Sequence, residues 1–161
     1  MRKLVLHIGA HRTATTAIQK TLRSNFEVLL RQGVLYPFGV NKHFSLFQRL
    51  FAGKLDPVEL AADIKRRAEN KPAEIHTVIL SDEAVCKRPD LSLLAPLREH
   101  FDVKVIYALR RQDLWLESWY LQNVKGQWDS DFSHLSFDEF MARWEADVFH
   151  WIDYDRYARH L

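Results

Sequence analysis

Three threonine hydroxyls and one arginine fall within five residues of the run GAHRTATT, residues 9–16. The run lies between an apolar segment and a helical one, where free backbone N–H groups and the helix dipole favour an anion. Arg12 sits at its centre, and its fork of donors matches the oxygens of a phosphate or sulfate group. A mononucleotide loop of the form GxxxxGK[ST] would carry glycine and lysine where this chain has Ala14 and Thr15, and only Thr16 conforms. The lysine that reaches the outer phosphates of ATP is therefore missing. The plainer alternative is an ordinary strand-to-helix turn whose threonines cap the helix. Further polar residues follow other apolar runs: Ser81, Asp82 and Glu83 after one, and Arg110 after another.

Alternating strands and helices are needed to place these groups. Residues 4–8 form an apolar run ending at Gly9, which suits a buried strand that stops where the backbone turns. From Thr15, Ile18, Leu22, Phe26, Leu29 and Leu30 recur at helical spacing until Gly33, a left-handed stop. The segment 34–39 reads as a turn, followed by a polar stretch around Asn41 that includes His43. DPVE at 56–59 predicts an N-cap, a first-turn proline and a helix to about Ala68. A second strand is expected over 77–80 and a third over 103–109, closing at Arg110. A helix over 114–125 carries Leu114, Trp115, Ser118, Leu121 and Gln122 along one side, followed by a polar loop expected to be mobile. SFDE at 136–139 is a capping box opening an amphipathic helix through Phe140 and Trp144. The pattern is that of an α/β domain with a parallel sheet, whose ligands bind beyond the carboxyl ends of the strands.

Composition narrows the classes. With 161 residues, 47% hydrophobic and 27% charged, one domain spanning 1–161 is expected. A net charge of +2, from 23 basic and 21 acidic residues spread along the chain, provides no basic block for nucleic acid or an anionic membrane. There is no signal-peptide core and no run as long as a membrane span. A lone cysteine, Cys86, allows no internal disulfide, so a reducing, cytoplasmic setting is expected. The eight histidines show no paired zinc spacing, and no metal is expected.

The run HIGAHRTATTAIQKTL resembles the 5′-phosphosulfate loop of sulfotransferases, usually KTGTT followed by a helix. The resemblance implies a P-loop NTPase-like, three-layer α/β/α fold that binds 3′-phosphoadenosine 5′-phosphosulfate, PAPS. It assigns the 5′-phosphosulfate to Gly9, His11, Arg12, Thr13, Ala14, Thr15 and Thr16, with the three threonines as direct ligands. Arg12 stands where the family has lysine and would stabilise charge on the oxygen bridging phosphorus and sulfur. Unlike lysine, it cannot give up a proton. Independently, VIYALRRQDLWLESWYLQ is similar to the family's 3′-phosphate motif, an arginine closing a strand and a serine eight residues later, here Arg110 and Ser118. Arg110 also reads as a solvated strand end, and Ser118 as a helix-face residue. Two motifs in order, about 100 residues apart, favour a sulfotransferase over a P-loop kinase, because ATP has no 3′-phosphate to bind.

Sulfuryl transfer needs a base beside the acceptor hydroxyl or amine. Carbohydrate-modifying members of the superfamily carry a glutamate at a similar strand end, which makes Glu83 the first candidate and His43 the alternative. Asp82 or Glu83 could equally cap the next turn. Trp119, Tyr120 and Trp128 are candidates to stack on a small-molecule or carbohydrate acceptor, or else belong to the core. The family continues with further strands and a glycine-rich, lysine-containing segment that do not follow Leu161, so the sheet is expected to be incomplete at its C-terminal side. The order of the three expected strands would be second, third, first. The exposed first strand would then invite pairing with a second copy of the chain. A non-catalytic PAPS-binding or interaction protein of the same fold is the alternative function.

Overall fold

The computed structural model describes residues 1–127, 129–159 and 161. The single expected domain gathers into two compact units, Met1–Tyr107 and Ala108–Leu161.

The first unit is built on a parallel sheet. Strand β1, Lys3–His7, leads through the 9–16 turn to helix α1, Thr15–Ser24, and helix α2, Phe26–Arg31. Gly33 then adopts φ +71°, as the left-handed stop requires. Strand β2, Val34–Leu35, follows where the sequence reads as a turn, before helices α3, Phe44–Phe51, and α4, Pro57–Glu69. Asp56 caps α4 by accepting from the backbone N–H groups of Val58 and Glu59. Strand β3, Thr77–Ser81, runs into a 3-10 turn at Glu83–Lys87, and strand β4, Asp102–Ile106, closes the unit.

The strand order is β2-β3-β1-β4, all parallel. This corrects the expected order of second, third, first. The first strand lies inside the sheet, between β3 and β4, and the edge strands are β2 and β4. Burial explains the error: Leu4, Leu6, Val78 and Leu80 are 0–2% exposed, whereas Val105 and Ile106 of β4 are 37% and 50% exposed. An apolar run of an edge strand therefore reads like a buried one. Strand β4 also stops at Ile106, short of the expected Leu109, and Arg110 lies in the connection beyond it. The register places His7 beside Ser81 and Ile106, at the carboxyl ends of three strands.

The second unit holds helices α5, Gln112–Gly126, α6, Phe137–Glu145, and α7, Tyr154–Ala158. Its core is aromatic. Phe149 lies 5.1 Å from Phe140, 5.6 Å from Trp151 and 5.8 Å from Trp115, measured between ring centroids. Trp115, Leu116, Ser118, Trp119 and Asn123 are the buried residues of α5; of the side set out from the sequence, Trp115 and Ser118 are buried, while Leu114 and Leu121 are each 41% exposed. In the polar loop that follows α5, Phe132 is buried and the Phe132 N–H, the Ser133 N–H and Ser133 Oγ donate to the Asp129 carbonyl. The capping box at Ser136 and Glu139 forms as expected. No described helix is long and apolar enough to cross a membrane.

Candidate functional site

Strand β1 enters α1 through a turn of alternating handedness. Arg12 (φ 64°) and Ala14 (φ 61°) are left-handed, and Thr13 between them is not. Such alternation turns successive N–H groups toward one concavity that suits an anion. Helix α1 begins with no side-chain cap on its N-terminus and no acidic residue in its first turn. The Ala17 N–H donates to the Ala14 carbonyl at 3.0 Å, and no capping side chain serves the N–H groups that open the helix. Thr13 Oγ1 donates to the Ala10 carbonyl at 2.7 Å, which fixes the turn from inside. Thr15 is buried, and Arg12 and Thr16 are exposed. Gly9 has φ +128°, and a Cβ there would lie 2.9 Å from the Glu83 carbonyl oxygen and 3.0 Å from Cys86 Sγ. The turn after β1 therefore packs directly on the turn after β3, which only glycine permits.

Beneath the turn lies a buried polar chain. Gln19 of α1 is 3% exposed, and its Nε2 donates to Glu83 Oε2 at 2.6 Å and to Ser81 Oγ at 3.1 Å. Ser81 Oγ is also 2.7 Å from His7 Nδ1. Lys42 Nζ lies 3.0 Å from Glu83 Oε1, so both carboxylate oxygens are engaged. Glu83 is 7% exposed. Burial by itself would raise its carboxyl, but hydrogen bonds from Gln19 and Lys42 and the lysine charge hold it below the usual glutamate range. His11 Nδ1 is 3.9 Å from Glu83 Oε1, beyond hydrogen-bond reach. Burial pushes the His11 imidazole down to about 4, against the attraction of Glu83, so it is neutral at physiological pH.

The two adjacent carboxylates have separate duties. Asp82 accepts from the Ala84 N–H and caps the turn, and burial pushes it up to about 6. Glu83 does not cap. His43, by contrast, is 1% exposed and fully occupied. Its Nδ1 accepts from the Ser81 N–H at 3.0 Å and its Nε2 lies 3.1 Å from the Pro37 carbonyl, which fixes a neutral tautomer with the proton on Nε2. Burial pushes it down to about 4. His43 ties the segment after β2 to the end of β3 and has no nitrogen left to take a proton.

In the second unit, Arg110 lines a pocket of about 540 Å³ with Leu109, Arg111, Gln112, Asp113 and Tyr154. Tyr154 grips the Arg110 backbone on both sides: its hydroxyl accepts from the Arg110 N–H at 3.2 Å and donates to the Arg110 carbonyl. Gln112 Nε2 adds a bond to the Ile152 carbonyl at 2.8 Å. Ser118 is 9% exposed on α5 and is not among the residues lining this pocket. Trp119 is 3% exposed and stacks on Trp115 at 5.4 Å, which places it in the core, whereas Tyr120 is half-buried and packs on Phe137 and Phe140. Trp128 lies outside the described residues.

Sequence reasoning missed Gln19, Lys42 and Tyr154. Gln19 had one legible signal, since it sits four residues after Thr15 and shares its helix face. Lys42 and Tyr154 carry no local mark. Among the described residues no group of three or more histidine, cysteine, aspartate or glutamate side chains is placed to hold a metal ion. No family model matches the chain, and neither a curated protein nor a solved structure matches it.

Proposed function

We propose that the chain is the nucleotide-binding part of a cytoplasmic sulfotransferase, which transfers the sulfuryl group of PAPS to a hydroxyl or amine of a small-molecule or carbohydrate acceptor. One observation carries the reading: an inner strand of a parallel sheet runs into an uncapped helix N-terminus through a turn with left-handed Arg12 and Ala14. That donor set suits a 5′ anion. Arg110 and Ser118, by the sequence motif, take the 3′-phosphate.

In the reaction the acceptor oxygen or nitrogen attacks sulfur while the bond from sulfur to the bridging oxygen breaks. Adenosine 3′,5′-bisphosphate leaves with the bond's electron pair, and Arg12 balances the charge growing on the bridging oxygen. The acceptor proton passes to Glu83, held ionised by Gln19 and Lys42. A non-catalytic nucleotide-binding role is favoured by a different observation, that both Glu83 oxygens already have donors.

Calorimetric titration with adenosine 3′,5′-bisphosphate and adenosine 5′-monophosphate tests the assignment. The bisphosphate should bind more tightly by a charged contact, about 1.5 to 3 kcal/mol, and Arg110→Ala should erase the difference. Equal affinity of the unmodified protein for the two nucleotides would remove Arg110 and Ser118 from the site. Tight bisphosphate binding without turnover on any acceptor selects the binding role.

A further inference from the structure

The first unit carries a second pocket, of about 500 Å³, lined by none of the residues of the 9–16 turn and not by Glu83. Its walls include Arg23, Phe26, Phe38, Arg66, Arg67 and Lys71. Four cations thus face one cavity, and among the described lining residues there is no carboxylate. Asp63, outside the lining, pairs with both Arg66 and Arg67. One negative charge therefore serves two guanidinium groups, and the cavity keeps an excess of positive charge.

The cations are organised rather than loose. Arg23 Nε donates to the Gly39 carbonyl at 3.0 Å, and Arg67 Nε to Asp63 at 2.8 Å. The Arg67 guanidinium lies 4.3 Å from the centre of the Phe38 ring, and the Lys71 ammonium 5.6 Å from that of Phe26. Phe38 holds φ 69°, ψ −2°, a left-handed conformation that costs a bulky residue energy. The strained turn presents a half-buried ring to the pocket, beside the half-buried ring of Phe26.

We propose that this pocket is a binding site for an organic anion carrying two or more phosphate or sulfate esters on a ring. Separate guanidinium forks take separate ester groups, each matched to paired oxygens. Phe26 and Phe38, with Leu35 and Pro37, add apolar wall beside the cations for the body of a ring, and the volume is that of a small-molecule site rather than of a single inorganic ion. The proposal is independent of the PAPS reading, because the two sites share no residue.

The test uses the intact chain, with calorimetry and amide NMR shifts, against three probes: sucrose octasulfate, inositol hexakisphosphate, and tripolyphosphate, which has charge but no ring. At least one ring-bearing probe should bind one to one and shift the amides of Gly39, Asn70 and Lys71. The tighter of the two identifies the ester class. Tripolyphosphate should bind at least tenfold more weakly. Arg66→Ala combined with Lys71→Ala should weaken the ring-bearing probe at least tenfold, while Arg12→Ala leaves it within twofold. The Arg66 side chain is 65% exposed, and a melting curve checks that the double variant is folded before its affinity is read. The proposal is overturned if neither ring-bearing probe binds, if tripolyphosphate binds equally well, or if affinity follows Arg12 rather than Arg66 and Lys71.

Discussion

Replacing Gln19 with leucine removes the donor that joins α1 to the ends of the strands. The Nε2 contact to Glu83 at 2.6 Å is charge-assisted and contributes about 1.5 to 3 kcal/mol, and the 3.1 Å contact to Ser81 about 0.5 to 1.5. Leucine of similar size returns about 1 kcal/mol through its apolar surface. The net loss at neutral pH should be about 2 kcal/mol, read by urea denaturation of the two proteins side by side. The pH dependence supplies a second check. Glu83 is held below its ordinary 4.5, so its contribution is present above that value and lost as the pH falls through the folded-state value. The variant loosens this hold, and the gap between the two proteins should narrow as the pH drops below 4.5. A loss under about 0.5 kcal/mol at neutral pH, typical of an ordinary surface change, would refute the reasoning. A gap that widens in acid would refute it equally.

Gly9→Ala should cost at least about 2 kcal/mol by denaturation, from the φ of +128° and the 2.9 Å approach to the Glu83 carbonyl. His43 is neutral in the folded protein and displaced from 6.5 to about 4, so stability should fall as the pH drops from 6.5 toward 4. His43→Gln should remove a share of that slope worth about 3 kcal/mol, measured by urea unfolding across the range. Glu83→Gln should lower sulfuryl transfer about 100-fold or more in a single-turnover assay while leaving bisphosphate affinity nearly unchanged. Tyr154→Phe should lower stability by about 1 kcal/mol and blunt the preference for the bisphosphate over the monophosphate, read by melting and calorimetry.

Local signals in the sequence locate most elements of the fold. The apolar runs at 4–8 and 77–80, the Asp56 cap, Gly33 and the Ser136 box all mark elements that form, because caps and turns depend on a few neighbouring residues. Strand order is not local, and Val105 and Ile106 gave no sign that they would lie at an edge. Helix α3 was hidden in a segment that looks polar at its start, and β2 in one that looks like a turn. At the site, the 9–16 turn and the position of Glu83 past β3 were readable from strand ends alone. What held Glu83 was not, since Gln19 and Lys42 are 64 and 41 residues from it in the chain. The apolar spacing in α1 was misleading for a related reason: Thr15 and Gln19 turn inward, while Ile18 is 44% exposed.

That inverted helix sets an order of local opening. Strands β1 and β3 are held by parallel ladders and apolar packing, whereas the inward face of α1 is tied by Gln19 to a serine and a carboxylate. Segments fastened by few apolar contacts exchange their amide protons from states well below the global unfolding barrier. Helix α1 should exchange ahead of the sheet, and acid that protonates Glu83 should hasten it while β1 stays protected. Under the proposed function, an anion seated on the N-terminal N–H groups of α1 would slow that exchange and stabilise the helix on which it rests.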